Sequence, residues 1–357
     1  MRPAAGRSCV AAATALPQRL PKCYNSPTER LSNQARFCAI HLEESMHRFR
    51  RFAILPIVAI ALMACQADEG ASPVESEAAE SMAAESMGET AGPICDEYTG
   101  DDHLGRICEA GVIVVSTDPA YPPQSFLNEE TGDYEGFDID TALAIGEGLG
   151  VEVEFTDPSF DAVVAGSWSD RWDVSVGSVT VTSDREEVLD FTQPYYYTPA
   201  QFAALEDSGF TSLDDLAGQV ACVGESTTYL FWIDGTLSLP DSAGDIADVP
   251  DGLSSTTFPT DIDCAEAWRS GRTEDFQGWL TALPTAQGAI DSGNYPIVLL
   301  GDPVFYEPLA VAFDKSVEDN DSLVEAVDAI IGEMHDDGTL TSLSEQWYEG
   351  LDYTTQE

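Results

Sequence analysis

From Gly111 onward the chain repeats one pattern, a short apolar strand followed by an amphipathic helix, and that alternation admits few folds. Gly111-Val112-Ile113-Val114-Val115 has no polar face, so it has to be covered on both sides, as strands of a parallel sheet are. Gly136-Phe137-Asp138-Ile139-Asp140 opens a helix with apolar positions Ile139, Leu143, Ile145 and Leu149, and Gly150 stops it. Carboxylates suit the start of a helix, which is the role expected of Asp138 and Asp140. Residues 151–155 form the next strand, 160–164 start a helix, and Val174 and Val176 mark a further strand. These elements make one βαβ lobe. Residues 199–205 then cross into a second lobe, with a helix from Ser212, a strand at 220–223 and a helix starting at Tyr229. The second lobe continues with a strand at 255–258, a helix at 261–270, a strand at 275–277 and a helix from Leu280. Residues 309–313 return to the first lobe, which is closed by helices around 323–334 and 340–347. The expected organisation is therefore a discontinuous first lobe, 94–200 and 303–357, against a second lobe, 201–302. Two crossings make a hinge, and the cleft between the lobes is the natural ligand site.

The chemistry concentrates in residues 168–197. There the strand runs through Ser178-Val179-Thr180-Val181-Thr182 into a short helix that the Thr182 hydroxyl can cap. Arg185 falls in the first turn, where a cation faces the positive end of the helix dipole at a cost of roughly 0.3–1 kcal/mol, so helix stability does not account for it. A bound anion does. Backbone N–H groups at the helix start, the hydroxyls of Ser178 and Thr180, and the planar fork of Arg185 make a receptor for a carboxylate. A surface ion pair of Arg185 with Asp184, Glu186 or Asp190 is the alternative reading of the same residues.

Met46-His47-Arg48-Phe49-Arg50-Arg51 precedes an apolar run to Ala64 and then Cys65, a basic segment and apolar core with the proportions of a secretory signal, 46–64. Leu62-Met63-Ala64-Cys65 resembles the lipobox of bacterial lipoproteins, which makes Cys65 a lipid-anchored first residue of an exported, membrane-attached protein facing the periplasm or the exterior. Residues 1–45 are then expected to be a gene-calling artefact or a disordered extension, and 65–93, poor in large apolar groups, a disordered acidic tether. After Cys65 come 61 acidic and six basic residues, a balance that excludes nucleic acid as a partner and suits a saline or otherwise ion-rich surrounding. The cysteines that remain, Cys95, Cys108, Cys222 and Cys264, imply two disulfides in an exported chain, and closeness in sequence favours Cys95 with Cys108 and Cys222 with Cys264. With no CxxC and only His103 and His335 after Cys65, neither a metal nor another cofactor is expected. The acidic loop 237–253 has no EF-hand spacing and reads as solvated.

Several separate motifs across residues 106–352 occur in the order and spacing of a known family: TDPAYPP at 117–123, GFDID at 136–140, GSVTVTSDR at 177–185, DFTQPYYY at 190–197, STT at 226–228, SGR at 270–272 and DGTL at 337–340. The chain resembles the bacterial extracellular solute-binding proteins of polar amino-acid ABC importers, solute-binding protein family 3. The resemblance implies an α/β, two-lobed periplasmic-binding-protein-like fold, two doubly wound lobes joined by a two-crossing hinge. It also implies a monomeric, non-enzymatic receptor for a small zwitterion such as an amino acid, serving a membrane permease and its ATPase. By resemblance Arg185 pairs with the ligand carboxylate, aided by Thr180 and by Ser226, Thr227 and Thr228 across the cleft. Gly177 and Ser178 meet the amino end, and Tyr121 and Phe160 stack on the side chain. Periplasmic dehydratases of cyclohexadienyl acids share the fold and supply an enzymatic alternative, and presentation of ligand to a separate sensor supplies another. The chain departs from the family pattern at Gln124, Thr141 and, above all, Trp279, which counting from Gly271 places where family members put the Asp that holds the ligand's ammonium. Two arrangements fit: Trp279 packs and Asp118, Glu225 or Asp275 takes the amine, or a methylated or ring-bound nitrogen sits in a cation–π box of Trp279, Tyr121 and Phe160.

Overall fold

The structure, a computed structural model, describes residues 92–240 and 243–355. The signal-like run 46–64 and Cys65 lie outside these residues. Helices α1 (Ile94–Glu97) and α2 (His103–Ala110) lead into strand β1 (Val112–Ser116), followed by a small antiparallel sheet of β2 (Ala120–Tyr121), β3 (Ser125–Leu127) and β4 (Tyr134–Glu135). Next come α3 (Phe137–Leu149), β5 (Glu152–Thr156), α4 (Phe160–Val164), β6 (Val174–Thr180), the short β7 (Leu189–Phe191) and β8 (Tyr196–Leu205). The chain continues through β9 (Val220–Gly224), α5 (Thr228–Ile233), β10 (Ser254–Phe258), α6 (Ile262–Arg269), β11 (Gly278–Ala282) and α7 (Leu283–Asp291). It returns along β12 (Ile297–Asp314) and ends in α8 (Asp321–Asp336) and α9 (Thr339–Trp347).

The fold is α/β and two-lobed, and the lobes share one sheet. Its order is β10-β9-β11-β8-β12-β6-β1-β5, with β7 also on β12. The two crossing strands, β8 and β12, pair antiparallel from Ile297 with Leu205 to Leu309 with Tyr196, interrupted by a bulge between Leu300 and Phe305. On one side β1 runs parallel to β5 and β6; on the other β9 runs parallel to β10 and β11. Strands buried on both faces explain the continuous apolar runs. One core gathers β1, α3, α8 and α9 around Phe137, Tyr195, Tyr196 and Phe313. Alternation along β8, β9 and β11 sends Phe202, Ala221 and Leu280 into one core of the other lobe, and Ala203, Cys222 and Trp279 into a second core on the opposite face.

Several elements differ from the sequence reading, among them the helix expected from Ser212, which is a 3-10 turn over Leu213–Leu216. The strand expected at 275–277 begins at Gly278, because Arg272 to Asp275 close a turn on themselves with an Arg272–Asp275 ion pair at 2.7 Å. The helix expected from Leu280 starts correspondingly later, at Leu283 with Pro284 in its first turn. The expected helix around Arg185 is a single 3-10 turn, Arg185–Glu187, although the Thr182 hydroxyl does accept from the Arg185 N–H at 3.2 Å. A turn this short has almost no summed dipole, so the dipole argument does not apply to Arg185.

Both disulfides form as paired from the sequence, Cys95 with Cys108 and Cys222 with Cys264. The second ties β9 to α6 inside the core that holds Trp279, with both cysteines fully buried. Its loop of 42 residues makes it the stronger restraint on the unfolded chain, worth about 4 kcal/mol. Replacing Cys222 and Cys264 together by Ala should therefore lower the unfolding free energy by about 2–4 kcal/mol in non-reducing urea titrations, whereas an unchanged midpoint would show that the disulfide adds nothing to the fold.

Candidate functional site: a cavity where the lobes meet

A cavity lies between the lobes, a place where small-molecule sites commonly form. It opens where the topology says it should, beyond the carboxyl ends of β1, β9 and β10. Asp118, Tyr121, Phe160, Gly177, Ser178, Thr180 and Arg185 line one wall. Gly224, Glu225, Thr227, Thr228, Tyr229 and the turn Pro259-Thr260-Asp261 line the other, and Glu307 enters from the crossing strand β12. The walls touch around the cavity: the Tyr121 and Tyr229 hydroxyls are 3.1 Å apart, the Ser183 N–H donates to the Ser238 carbonyl at 3.2 Å, and Gln124 hydrogen-bonds Thr285 at 3.1 Å.

Arg185 is 4% exposed. Its guanidinium donates to the Thr180 carbonyl at 2.9 Å and, across the cleft, to the Ser226 carbonyl at 3.0 Å, and it lies 5.2 Å from the centre of the Phe160 ring. Its Nε–H is buried with no hydrogen-bond partner among the described residues. Burial lowers its pKa to about 10, partly offset by the charge of Glu307, so it stays a cation at neutral pH. The surface pairings weighed from the sequence do not form; Asp190 pairs instead with Lys315, at 3.3 Å.

Ser178 sits at φ +57°, a left-handed conformation that a residue with a side chain adopts only when its surroundings compel it. Here they do. The Ser178 hydroxyl donates to Asp138 Oδ2 at 2.7 Å and lies 2.6 Å from the Tyr196 hydroxyl, while its N–H donates to the Tyr195 hydroxyl at 3.3 Å. Tyr195 in turn donates to Asp138 Oδ1 at 2.7 Å. Asp138 is therefore more than a residue of the first helical turn: it is fully buried and fixes the serine that lines the cavity. Gly136 makes this possible, since at φ +133° a Cβ would stand 2.3 Å from the Gln124 carbonyl oxygen that caps the same turn. Asp140 instead accepts from the Trp347 indole at 2.7 Å and holds α9.

Of the ten residues expected to meet a ligand, Tyr121, Phe160, Gly177, Ser178, Thr180, Arg185, Thr227 and Thr228 line the cavity. Ser226, at φ +62°, contributes its carbonyl to Arg185 rather than a wall. Trp279 is the exception. It is fully buried in the core beside Cys222 and Cys264, away from the cavity lining, because the late start of β11 puts it inside the strand with its side chain on the disulfide face. Sequence reasoning missed Tyr229, Asp261 and Glu307. A glutamate inside the apolar run Val304-Phe305-Tyr306-Glu307-Pro308-Leu309 was a readable signal, since a strand buried on both faces has no room for an unpartnered charge.

Glu307 is 3% exposed and accepts at Oε1 from the hydroxyls of Thr180, at 2.8 Å, and Thr228, and at Oε2 from Tyr229 at 2.6 Å. Burial raises its pKa, and the three hydroxyls and Arg185 oppose that rise. Asp261 accepts from the Gly224 N–H at 2.7 Å and the Thr281 hydroxyl at 3.2 Å, yet burial still pushes it up to about 7, as it does Asp138. Both groups hold protons in the folded state that the unfolded chain releases near the ordinary carboxylate range, so stability is greatest below that window and falls as pH rises to about 7. The ligand-free protein should accordingly melt at a higher temperature at pH 5 than at pH 8. Asp138→Asn and Asp261→Asn should each flatten that slope, by about 2–4 kcal/mol between the two limits; slopes identical to wild type in both variants would show that neither group is responsible.

Comparison with known proteins agrees with this architecture. The family model described as bacterial extracellular solute-binding proteins, family 3, matches residues 113–350. The L-cystine-binding protein TcyJ of Escherichia coli K12 is 28% identical over 266 residues, 74% of this chain and 92% of that protein. An ancestral arginine-binding protein bound to arginine shares 27% identity at a TM-score of 0.57, over 67% of this chain and 98% of its own. Holo ArgBP from T. maritima superposes at a TM-score of 0.56 over 68% of this chain and 99% of its own, and at 23% identity it supports the fold alone.

Proposed function

We propose that this chain, which belongs to the bacterial extracellular solute-binding proteins of family 3, captures an amino acid or similar zwitterion between its lobes and delivers it to an ABC importer, a membrane permease with its ATPase. The observation that carries the reading is Arg185. A guanidinium buried in a cavity wall, held only by two carbonyls and keeping an unpartnered Nε–H, suits an incoming carboxylate. Thr180 and Thr228 face the same space from opposite walls, with Thr227 beside them, and Ser178 and Gly177 are positioned for the amino end. Tyr121 and Phe160 flank the side chain. Only the closed arrangement brings both walls to the ligand, so binding energy favours closure about β8 and β12. Relatives named for binding cystine and arginine support an amino-acid ligand and a receptor without turnover. The dehydratase alternative is not better supported: among the described residues no histidine lines the cavity, His103 contacting Asp173 and Asn320 and His335 the Pro194 carbonyl, and the buried carboxyls that could serve as a general acid, Asp261 and Glu307, are each held by hydrogen bonds from the protein itself.

In this reading the protein acts as a monomer, exported and anchored to the membrane through a lipidated Cys65, with residues 94–200 and 303–357 moving against 201–302. No helix of the described residues is long and apolar enough to cross a membrane. Thermal-shift and calorimetric screening of amino acids, betaines and ectoine tests the reading. A ligand present at about a hundred times its Kd should stabilise the wild-type protein by roughly 2.7 kcal/mol, and Arg185→Ala should weaken binding about 100-fold. Absence of any shift with every carboxylate-bearing zwitterion, or shifts unchanged in Arg185→Ala, would overturn it.

A further inference from the structure

A zwitterion also needs a partner for its nitrogen, and with Trp279 in the core the candidates are the carboxylates at the cavity: Asp261 and Glu307, both buried, the half-buried Asp118 and the exposed Glu225. Glu307 stands apart from the others in its relation to Arg185. On one wall the Arg185 guanidinium donates to the Thr180 carbonyl at 2.9 Å while the Thr180 hydroxyl donates to Glu307 at 2.8 Å. On the other wall Arg185 donates to the Ser226 carbonyl at 3.0 Å, and two residues further on the Thr228 hydroxyl donates to Glu307. Cation and anion thus flank the same two segments, yet among the described residues they form no ion pair with each other. Opposite charges buried side by side and left apart are costly unless something between them answers both.

The carboxylate and ammonium of an α-amino acid are joined through a single carbon. Groups that bind them must therefore be close neighbours on the wall without touching. Arg185 and Glu307 meet that condition, and Glu307 is the carboxylate whose charge acts on Arg185. Asp261 accepts from Gly224 and Thr281, Asp118 accepts from the Ala120 N–H at 2.8 Å and Glu225 is exposed, and none of the three shares a hydrogen-bond partner with Arg185, as Glu307 does through Thr180.

Resting on the zwitterion reading above, we propose that Glu307 is the residue that binds the ligand's ammonium, so that the crossing strand β12, rather than the wall of either lobe, recognises the nitrogen. A carboxylate offers about four acceptor positions. The hydroxyls of Thr180, Thr228 and Tyr229 fill three and leave one for an N–H donor. The same hydroxyls favour the charged form in a dry site, which an ammonium partner requires. Since Thr180 belongs to one wall and Thr228 and Tyr229 to the other, the full set around Glu307 exists only when the walls meet, and reading the nitrogen is coupled to closure.

Glu307→Gln keeps the shape and removes the charge; Glu307→Asp keeps the charge. The full chain and both variants would be titrated calorimetrically with the twenty proteinogenic L-amino acids and L-cystine, each beside its des-amino carboxylic acid. The wild type should prefer the amino acid over the des-amino acid by about 100-fold, the Gln variant by less than about 10-fold, and the Asp variant should recover part of the difference. Because each preference is a ratio within one protein, a general loss of stability cancels. A crystal structure of wild-type protein with the best amino acid gives a readout free of substitution, and its nitrogen should lie within hydrogen-bond reach of Glu307. An undiminished preference in the Gln variant, or a nitrogen seated on Asp118, Glu225 or Asp261, overturns the proposal while leaving the carboxylate role of Arg185 intact. Absence of binding by any amino acid to the wild type removes both.

Discussion

A guanidinium buried at the meeting of two lobes, with no carboxylate against it, is the constraint from which the rest of this site follows. Desolvating such a group costs several kcal/mol unless hydrogen bonds and opposite charge repay it. The protein provides part of that repayment through the carbonyls of Thr180 and Ser226 and the nearby charge of Glu307. The remaining Nε–H is left for something else. Two of the residues that shape the pocket, Ser178 and Ser226, hold left-handed backbone conformations beside it. Strain of this kind persists only where surrounding contacts fix it, and the Asp138, Tyr195 and Tyr196 cluster does so for Ser178. The lobe core and the site are in that sense one object: Phe137, Tyr195 and Tyr196 pack the core with their rings while the tyrosine hydroxyls set the cavity wall.

The crossing strands do the mechanical work. β8 and β12 are paired along most of their length, so the lobes are joined by a ribbon of hydrogen bonds rather than by loose linkers. A bulge between Leu300 and Phe305 interrupts that ribbon, and Glu307 lies just beyond it. In the proposed closure, motion about such a ribbon moves the two walls relative to Glu307 and so makes or breaks its hydroxyl partners together. This gives closure a local chemical meaning, in place of a general tendency of two lobes to approach each other.

Most of the architecture was legible because it rests on periodicity. β1, α3 and α8 could be placed from apolar runs, glycine stops and helical spacing, and the cysteines paired as their closeness suggested. The errors share one origin, in counting residues where the chain turns. Arg272 to Asp275 close a turn that delays β11, and this delay carries Trp279 from the expected ligand wall into the disulfide core. Arg185 was singled out for a reason that does not hold, the dipole of a helix that is only one 3-10 turn; its burial supplies the reason that does. Asp261 was missed for a different cause, and for Glu307 the apolar run around it signalled burial but not a role. Their roles depend on partners far away in sequence, Thr281 for one and Thr180 and Thr228 for the other, which no local pattern reveals.

The charge of the chain gains a meaning from the site that composition alone does not give it. With 61 acidic and six basic side chains after Cys65, the long-range field repels any net anion, and the cavity repeats that bias with Asp118, Glu225, Asp261 and Glu307 against a single arginine. A carboxylate that brings its own cation enters such a place at less cost than one that does not. At short range the guanidinium answers the acid end; at long range only the net charge of the ligand is felt, and salt screens it beyond about 10 Å. In the proposed function, selection for zwitterions over simple acids therefore has two layers, a field that discourages anions before contact and a pair of unjoined opposite charges that recognises both ends after it. Adding salt weakens the first layer and leaves the second, buried one nearly untouched, so the preference for a nitrogen-bearing ligand is set by side chains at the cavity, with the acidic surface governing how quickly competitors arrive.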